Sequence, residues 1–439
     1  MTRKPKAGQS DPGQGEPARS RGPHSTDAAP RKLKPATLMM GHGYDPRLSE
    51  GALKPPIFLT STFVFESAAA GKRHFERITG QVPGEVEALV YGRFNGPDQE
   101  ILEDRLSVWE EAEAALSFSS GMAAISTVLL SLVQAGDVIV HSSPLYAATE
   151  SLIGKALARL GVRFLDFPAG ATRDEIDGVL AQAAAQGRIA LIYLESPANP
   201  TNALVDVQAV RASRDALPGA ARPPIVIDNT FLGPLWAKPL QQGADLVVYS
   251  LTKYVGGHSD LVAGGAIGSK ALIGPVRALR NTIGTILDPH SSWMLLRSLE
   301  TLELRMTRAG ENAARVCAFL REHPKVERIG YLGFLDETSR QADIYRRHCS
   351  GAGSTFSLYL KGGEAEAFAF LDALQIAKLA VSLGGTETLA SHPASMTHLS
   401  VPDARKAALD IGPNLVRVSI GVEDADDLIA DLDQALSAY

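Results

Sequence analysis

The chain has 439 residues and a formal net charge of −6, with 45% hydrophobic and 21% charged residues. That balance belongs to a soluble globular protein long enough for two or three packed units. No stretch is apolar for the roughly 20 residues a membrane-crossing helix needs, and net acidity argues against a general nucleic-acid binder, because a phosphate backbone rewards clustered Lys and Arg.

Residues 1–36 are rich in Pro, Gly, Ser and basic side chains and hold almost nothing large to bury, so a disordered basic tail is expected. They contain no apolar core of a secretory signal. Two cysteines, Cys317 and Cys349, cannot make a disulfide framework, and a reducing cytoplasmic setting is expected. From Thr37 the texture is globular. An extended lead-in (KPPIFLTSTFVFES) and an acidic, Gly-containing insert precede YGRFNGPDQ and a helix-like EILEDRLSVWEEAEA.

Short apolar runs then alternate with helical patterns: ALSFSS, DVIVHS, RFLDF, IALIYLES, PPIVIDN and DLVVYS. Buried strands alternating with helices predict an α/β unit with a mostly parallel sheet covered on both faces, assigned to 88–300. Beyond about Pro289 a long helical stretch, SSWMLLRSLETLELRMTRAGENAARVCAFLREH, leads to strands such as STFSLYL and LVRVSIG. Cys317, inside that stretch, reads as a small buried hydrophobe. The chain closes on DDLIADLDQAL, where Leu428, Leu432 and Leu436 mark one helix face. Residues 301–439 are therefore expected to form a smaller α+β domain.

In such sheets ligands sit at the carboxyl ends of the strands. Asp228 closes a branched-aliphatic strand, where a charge is unfavourable unless paired, although a plain strand-end carboxylate is as good a reading alone. Ser119 and Ser120 precede Gly121 at a helix start, which reads as ordinary capping or as an anion cup. Lys253 follows the DLVVYS strand, about 25 residues after Asp228, with Ser250 and Thr252 adding hydroxyls. A lysine amine in a desolvated pocket has a lowered pKa and can condense with an aldehyde. Tyr146, after DVIVHS, offers a flat face for stacking. Lysine, acid, anion cup and aromatic ring together suit pyridoxal 5′-phosphate (PLP). No G-x-G-x-x-G follows the first strand, and no P-loop, H-E-x-x-H metal spacing or G-x-S-x-G is found.

From about Gly41 to the C-terminus the chain resembles the trans-sulfuration (Cys/Met metabolism) family of PLP-dependent enzymes. The resemblance rests on YGRFN, FSSGMAAI, LESPANPT, IDNT, SLTKYVGGHSD, SLGGTETLASHPASMTH and LVRVSIGVEDADDLIADL. It implies fold type I, the aspartate-aminotransferase-like architecture. It also implies that Lys253 carries the cofactor and shuttles protons, Asp228 pairs with the pyridine nitrogen, and Tyr146 stacks on the ring. Gly121, Met122, Ser250 and Thr252 would bind the phosphate. Tyr91 and Arg93 would reach a neighbouring subunit's phosphate, with residues 37–87 as an inter-subunit arm in a dimer paired into a tetramer. Arg417, helped by Ser382 and Asn199, would hold the α-carboxylate of an amino-acid substrate; the plain alternative for Arg417 is a salt bridge to an acidic neighbour. Val381 stands where cystathionine-handling relatives carry a glutamate and methionine γ-lyases an apolar residue. Ala148 stands where methionine γ-lyases carry a cysteine. The implied activity is γ-elimination or γ-replacement, as a methionine γ-lyase-like carbon–sulfur lyase, cystathionine γ-synthase, cystathionine γ-lyase or O-acyl-homoserine sulfhydrylase. Outside that family stand a PLP aminotransferase and a non-catalytic homologue.

Overall fold

The computed structural model describes residues 33–78, 81–82, 89–219 and 222–439. The basic tail up to residue 32, and part of the acidic insert, lie outside the described residues. Seven strands form the larger sheet: β1 (Ala114–Phe118), β2 (Val138–Ser143), β3 (Arg163–Pro168), β4 (Ile189–Glu195), β5 (Ile225–Asp228), β6 (Leu246–Ser250) and β7 (Gly264–Gly268). Their order is β1-β7-β6-β5-β4-β2-β3. Six run in one direction, and β7 is antiparallel to both of its neighbours.

The alternation of a strand explains how both faces become covered. Along β4, Ile192 and Leu194 enter one apolar core while Leu191 and Tyr193 enter another on the opposite face. On β6, Val247 and Tyr249 join the first core, and Leu246 and Val248 the second. All six strands expected from the sequence are present. The seventh, GGAIG, has only one of the branched residues that mark a strand, Ile267. It is glycine-rich because the chain passes so close: a Cβ on Gly264 would lie 2.1 Å from the Ser120 carbonyl oxygen.

Helices Pro289–Leu299 and Leu302–Glu322 replace the single stretch expected there. No Gly or Pro marks the junction; Thr301, at φ −112° and ψ 8°, interrupts the helix. The break separates two packing tasks. Leu295, Leu296 and Leu299 serve the large-sheet core, whereas Ala313, Val316, Cys317 and Leu320 serve that of the smaller C-terminal domain. The second sheet comprises β8 (Val326–Gly330), β9 (Thr355–Leu360), β10 (Lys378–Leu379), β11 (Leu389–Ser391) and β12 (Leu415–Ser419), in the order β10-β11-β12-β9-β8. All its pairings are antiparallel except β10–β11. Leu428, Leu432 and Leu436 are fully buried against it, as the helical spacing predicts. Among the described residues, no helix is long and apolar enough to cross a membrane.

Candidate active site

The carboxyl ends of β2, β4, β5 and β6 open into one cavity of about 370 Å³, closed from the other side by residues of the C-terminal domain. The large sheet contributes Gly121, Met122, Tyr146, Asn199, Asp228, Ser250, Thr252 and Lys253; the other side contributes Val381, Ser382 and Arg417. Tyr91 and Arg93 are not brought there. The Arg93 guanidinium lies 4.7 Å from the Phe94 ring centroid and donates to the Asn281 carbonyl, and Tyr91 pairs with Thr62 in an isolated bridge.

Lys253 leaves the turn after β6 and donates from Nζ to Ser382 Oγ at 2.7 Å. Burial first, and the positive charge of Arg417 second, lower its pKa to about 8. An amine so placed keeps a minor neutral fraction near neutral pH, far larger than that of an ordinary surface lysine. Ser382, its partner, has φ +92°, a strained conformation for a residue with a side chain. It is also held by its carbonyl, which accepts from Arg417 Nη2 at 2.6 Å.

Asp228 ends β5 and is only 7% exposed. Its Oδ1 accepts from Thr230 twice, from N at 3.0 Å and from Oγ1 at 2.6 Å. Burial raises its pKa against those two bonds. Among the described residues, no cationic side chain lies within ion-pair distance of it. Thr230 also accepts from Ser250 N at 2.9 Å, so the acid and the strand-end hydroxyl are tied together.

The anion cup is built by close approach. Ser120 caps helix Gly121–Leu132 by accepting from Ala123 N at 2.9 Å. This leaves the Gly121 and Met122 amides in the first turn without intrahelical acceptors. A Cβ on Gly121 would meet Ser250 Cβ at 2.9 Å, so only glycine lets the helix start meet β6. The Thr252 hydroxyl donates to Ala263 O at 3.1 Å and accepts from Ala263 N at 2.9 Å.

Arg417, 4% exposed, sits mid-strand in β12. Nη1 donates to Asn199 Oδ1 at 3.2 Å, and Nε has no partner. No carboxylate lies within ion-pair distance among the described residues, so the salt-bridge alternative for Arg417 fails. Burial lowers its pKa to about 10, which leaves it cationic at neutral pH. An unpaired buried guanidinium is unfavourable, and a planar carboxylate would complete it bidentately.

Sequence reasoning passed over three residues. Thr230 was inside the quoted IDNT. Glu195 closes β4 in LESPANPT and is the register partner of Asp228. His398 ends HPASMTH; burial first, then Arg417 and Lys406, hold its pKa near about 4, so it is a neutral neighbour of the guanidinium.

These residues fit PLP. The amides and hydroxyls at Gly121 suit a phosphate, the buried unpaired Asp228 suits a protonated ring nitrogen, Tyr146 offers an aromatic face, and Lys253 is a desolvated amine. Among the described residues no cluster of His, Cys, Asp and Glu could hold a metal ion.

Comparison with known proteins agrees with this geometry. The family described as Cys/Met metabolism PLP-dependent enzyme matches residues 36–437. The L-methionine gamma-lyase of Pseudomonas putida is 39% identical over 405 residues, covering 92% of this chain and 97% of that protein. The L-methionine gamma-lyase of Fusobacterium nucleatum subsp. polymorphum is 38% identical over 388 residues, covering 88% and 94%. The crystal structure of cystathionine gamma synthase from Xanthomonas oryzae pv. oryzae, in complex with aminoacrylate and cysteine, superposes with a TM-score of 0.83 at 32% identity, covering 93% and 99%.

Proposed function

The chain belongs to the Cys/Met metabolism family of PLP-dependent enzymes, and from that premise we propose that it binds PLP through Lys253 and cleaves or replaces the γ-substituent of a sulfur amino acid. L-Methionine-like substrates fit best, with water converting them to a thiol, a 2-oxo acid and ammonia. The observation that carries the reading is the pairing in one cavity of a desolvated lysine amine with a buried arginine that lacks a carboxylate partner.

Bound PLP supplies an electron sink for charge developing at the substrate α-carbon. The chain's own residues do the rest. Arg417 and Asn199 hold the α-carboxylate and so fix which face of the substrate meets Lys253. The lowered pKa of Lys253 lets its Nζ take up and return a proton at neutral pH. Asp228, kept from water, stabilises positive charge at the ring nitrogen. Tyr146, part-exposed at the opening, would stack on the ring and serve a second proton transfer.

The specificity argument concerns the distal end. Among the described residues the cavity's only acids are Asp228 and Glu195, both buried at strand ends, and Val381 with Val262 makes its rim apolar. Nothing there would hold the distal ammonium of cystathionine, whereas a methylthio group needs no partner. A γ-replacement reading on O-acyl-homoserine remains the second candidate, because an O-acetyl ester also has no distal charge and Ala148 stands in place of the methionine γ-lyase cysteine. Part of the reading is an assembly in which residues 37–87, Tyr91 and Arg93 meet a second subunit. Leu53, Leu59 and Val64 on that lead-in are strongly exposed in the single chain.

The test assays purified protein loaded with PLP against L-methionine, L-cystathionine and O-acyl-homoserines with cysteine or sulfide. Thiol and 2-oxo acid from L-methionine are expected. Transamination without ammonia release, or no cofactor absorption band with Lys253 intact, would sink the reading. Light scattering coupled to size exclusion reads the assembly, and a monomer would remove that part.

A further inference from the structure

Among the described residues four acidic or basic side chains line the cavity, and the roles above use only Lys253, Asp228 and Arg417. The fourth is Glu195, 4% exposed. A second carboxylate beside Asp228 in a dry site is unfavourable, since burial and like charge both disfavour its ionised form. Burial first and Asp228 second raise its pKa, with Glu150 adding to the effect; Tyr193, also on β4, feels both acids. Among the described residues no cation lies within ion-pair distance of Glu195.

Its hydrogen bonds give it a use. Oε2 accepts from Tyr146 N at 2.7 Å, and Oε1 accepts from Asn199 N at 2.9 Å. These amides belong to two separate loops beyond the ends of β2 and β4, where the sheet ladder no longer fixes the backbone. Asn199 in turn accepts from Arg417. The Glu195 backbone is anchored by its own N–H, which donates to Ser142 Oγ at 3.1 Å.

We propose that Glu195 is a positioning residue, whose single carboxylate clamps the Tyr146 and Asn199 loops from beneath and so sets the ring-facing tyrosine and the Asn199–Arg417 pair in register with Asp228. What those residues do once positioned rests on the functional reading above; the clamp itself does not.

Glu195→Gln keeps one acceptor and turns an amide NH2 toward the other backbone N–H, whereas Glu195→Ala removes both acceptors. Hydrogen exchange followed by mass spectrometry on peptides covering 144–150 and 196–200 reads the clamp directly. Exchange of both segments is expected to quicken by about tenfold or more in Glu195→Ala, the loss of one net hydrogen bond at each site, while the interiors of β4 and β5 stay protected. In Glu195→Gln one segment is expected to quicken. Its kcat/KM for L-methionine is expected to fall by about 10- to 100-fold, with KM rising when the Asn199 side shifts and the visible circular dichroism of the bound cofactor changing when the Tyr146 side does. If Glu195→Ala does not fold, Glu195→Gln carries the test alone. Unchanged exchange in both segments, or wild-type KM and kcat in Glu195→Gln, overturns the proposal. Quickened exchange in a protein that forms no PLP band would instead sink the functional reading and leave the clamp standing.

Discussion

The seven-stranded sheet delivers its reactive groups at strand ends: Glu195 and Asp228 close β4 and β5, and Tyr146 and Lys253 follow β2 and β6 by a few residues. The five-stranded sheet contributes Arg417 from the centre of β12, where it pairs with Ser391 on one side and Ser357 on the other. A parallel sheet with both faces buried can place polar groups only where its ladder stops. An antiparallel strand with neighbours on both sides can hold one charged side chain on a stem that cannot drift. The large-sheet half of the cavity is thus a set of loops, and the other half is one fixed cation plus the strained Ser382 loop. Variants in the two halves should fail differently.

The largest separation is expected at Lys253. Lys253→Ala should abolish turnover, by on the order of 10⁴-fold, the upper range for a single acid–base group. It should also remove the visible absorption band formed on adding PLP. Arg417→Ala is expected to keep that band while kcat/KM falls by about 10²- to 10³-fold, mostly through KM, the loss reported for stripping one partner from a buried charge pair. Its urea midpoint without substrate should not fall, because an unpaired buried charge has been removed. A lost absorption band in Arg417→Ala would mean that the halves are one unit.

A smaller effect sharpens the contrast through pH. Lys253 is held at about 8 when folded against 10.5 as a free side chain. Below pH 8 both states carry the proton, and the buried charge weakens the folded protein by its full amount. Between pH 8 and 10.5 the folded protein has released a proton that the unfolded chain keeps, so stability recovers as pH rises. Urea midpoints of cofactor-free wild type and Lys253→Met should therefore differ most below pH 8, with the variant higher, and converge toward pH 10.5. A difference independent of pH would show that Lys253 titrates normally.

Much of the first half was legible in the sequence, because apolar runs ending in IDN or followed by SLTK announce both a strand and what projects from its end. Lys253, Asp228 and Tyr146 reach one cavity in the order their strands suggested. Arg417 came only from the family resemblance of LVRVS, and the structure leaves it without a carboxylate partner among the described residues. What stayed hidden depends on register. Glu195 and Asp228 are 33 residues apart in the chain and become neighbours only when β4 and β5 align. The Glu195 clamp works on backbone N–H groups, which carry no residue signature. Strand β7 was invisible for the opposite reason: its glycines serve close packing, Gly264 against Ser120, Gly265 against Leu251 and Gly268 against Asp245, and glycine in a sequence reads as a turn. Tyr91 and Arg93, named from the family resemblance, lie outside the cavity in this chain.

The smallest effect concerns Val381, which is 56% exposed at the cavity rim and adjoins the strained Ser382. A residue so wet contributes little apolar contact, so Val381→Glu should lower kcat/KM for L-methionine only a few-fold. The added carboxylate would face solvent on one side, and an exposed ion pair is worth about 0.2–1 kcal/mol, so L-cystathionine should gain by about 1.5- to 5-fold through its distal ammonium. The two shifts have opposite sign, and their ratio, measured by competing the substrates in one reaction, should move by about tenfold toward cystathionine. A ratio that stays put would mean the distal end of the substrate never reaches this rim. Selectivity would then lie with the fixed half of the cavity around Arg417, which recognises only what all amino acids share, and the preference for an apolar γ-substituent would have to come from a second subunit's arm.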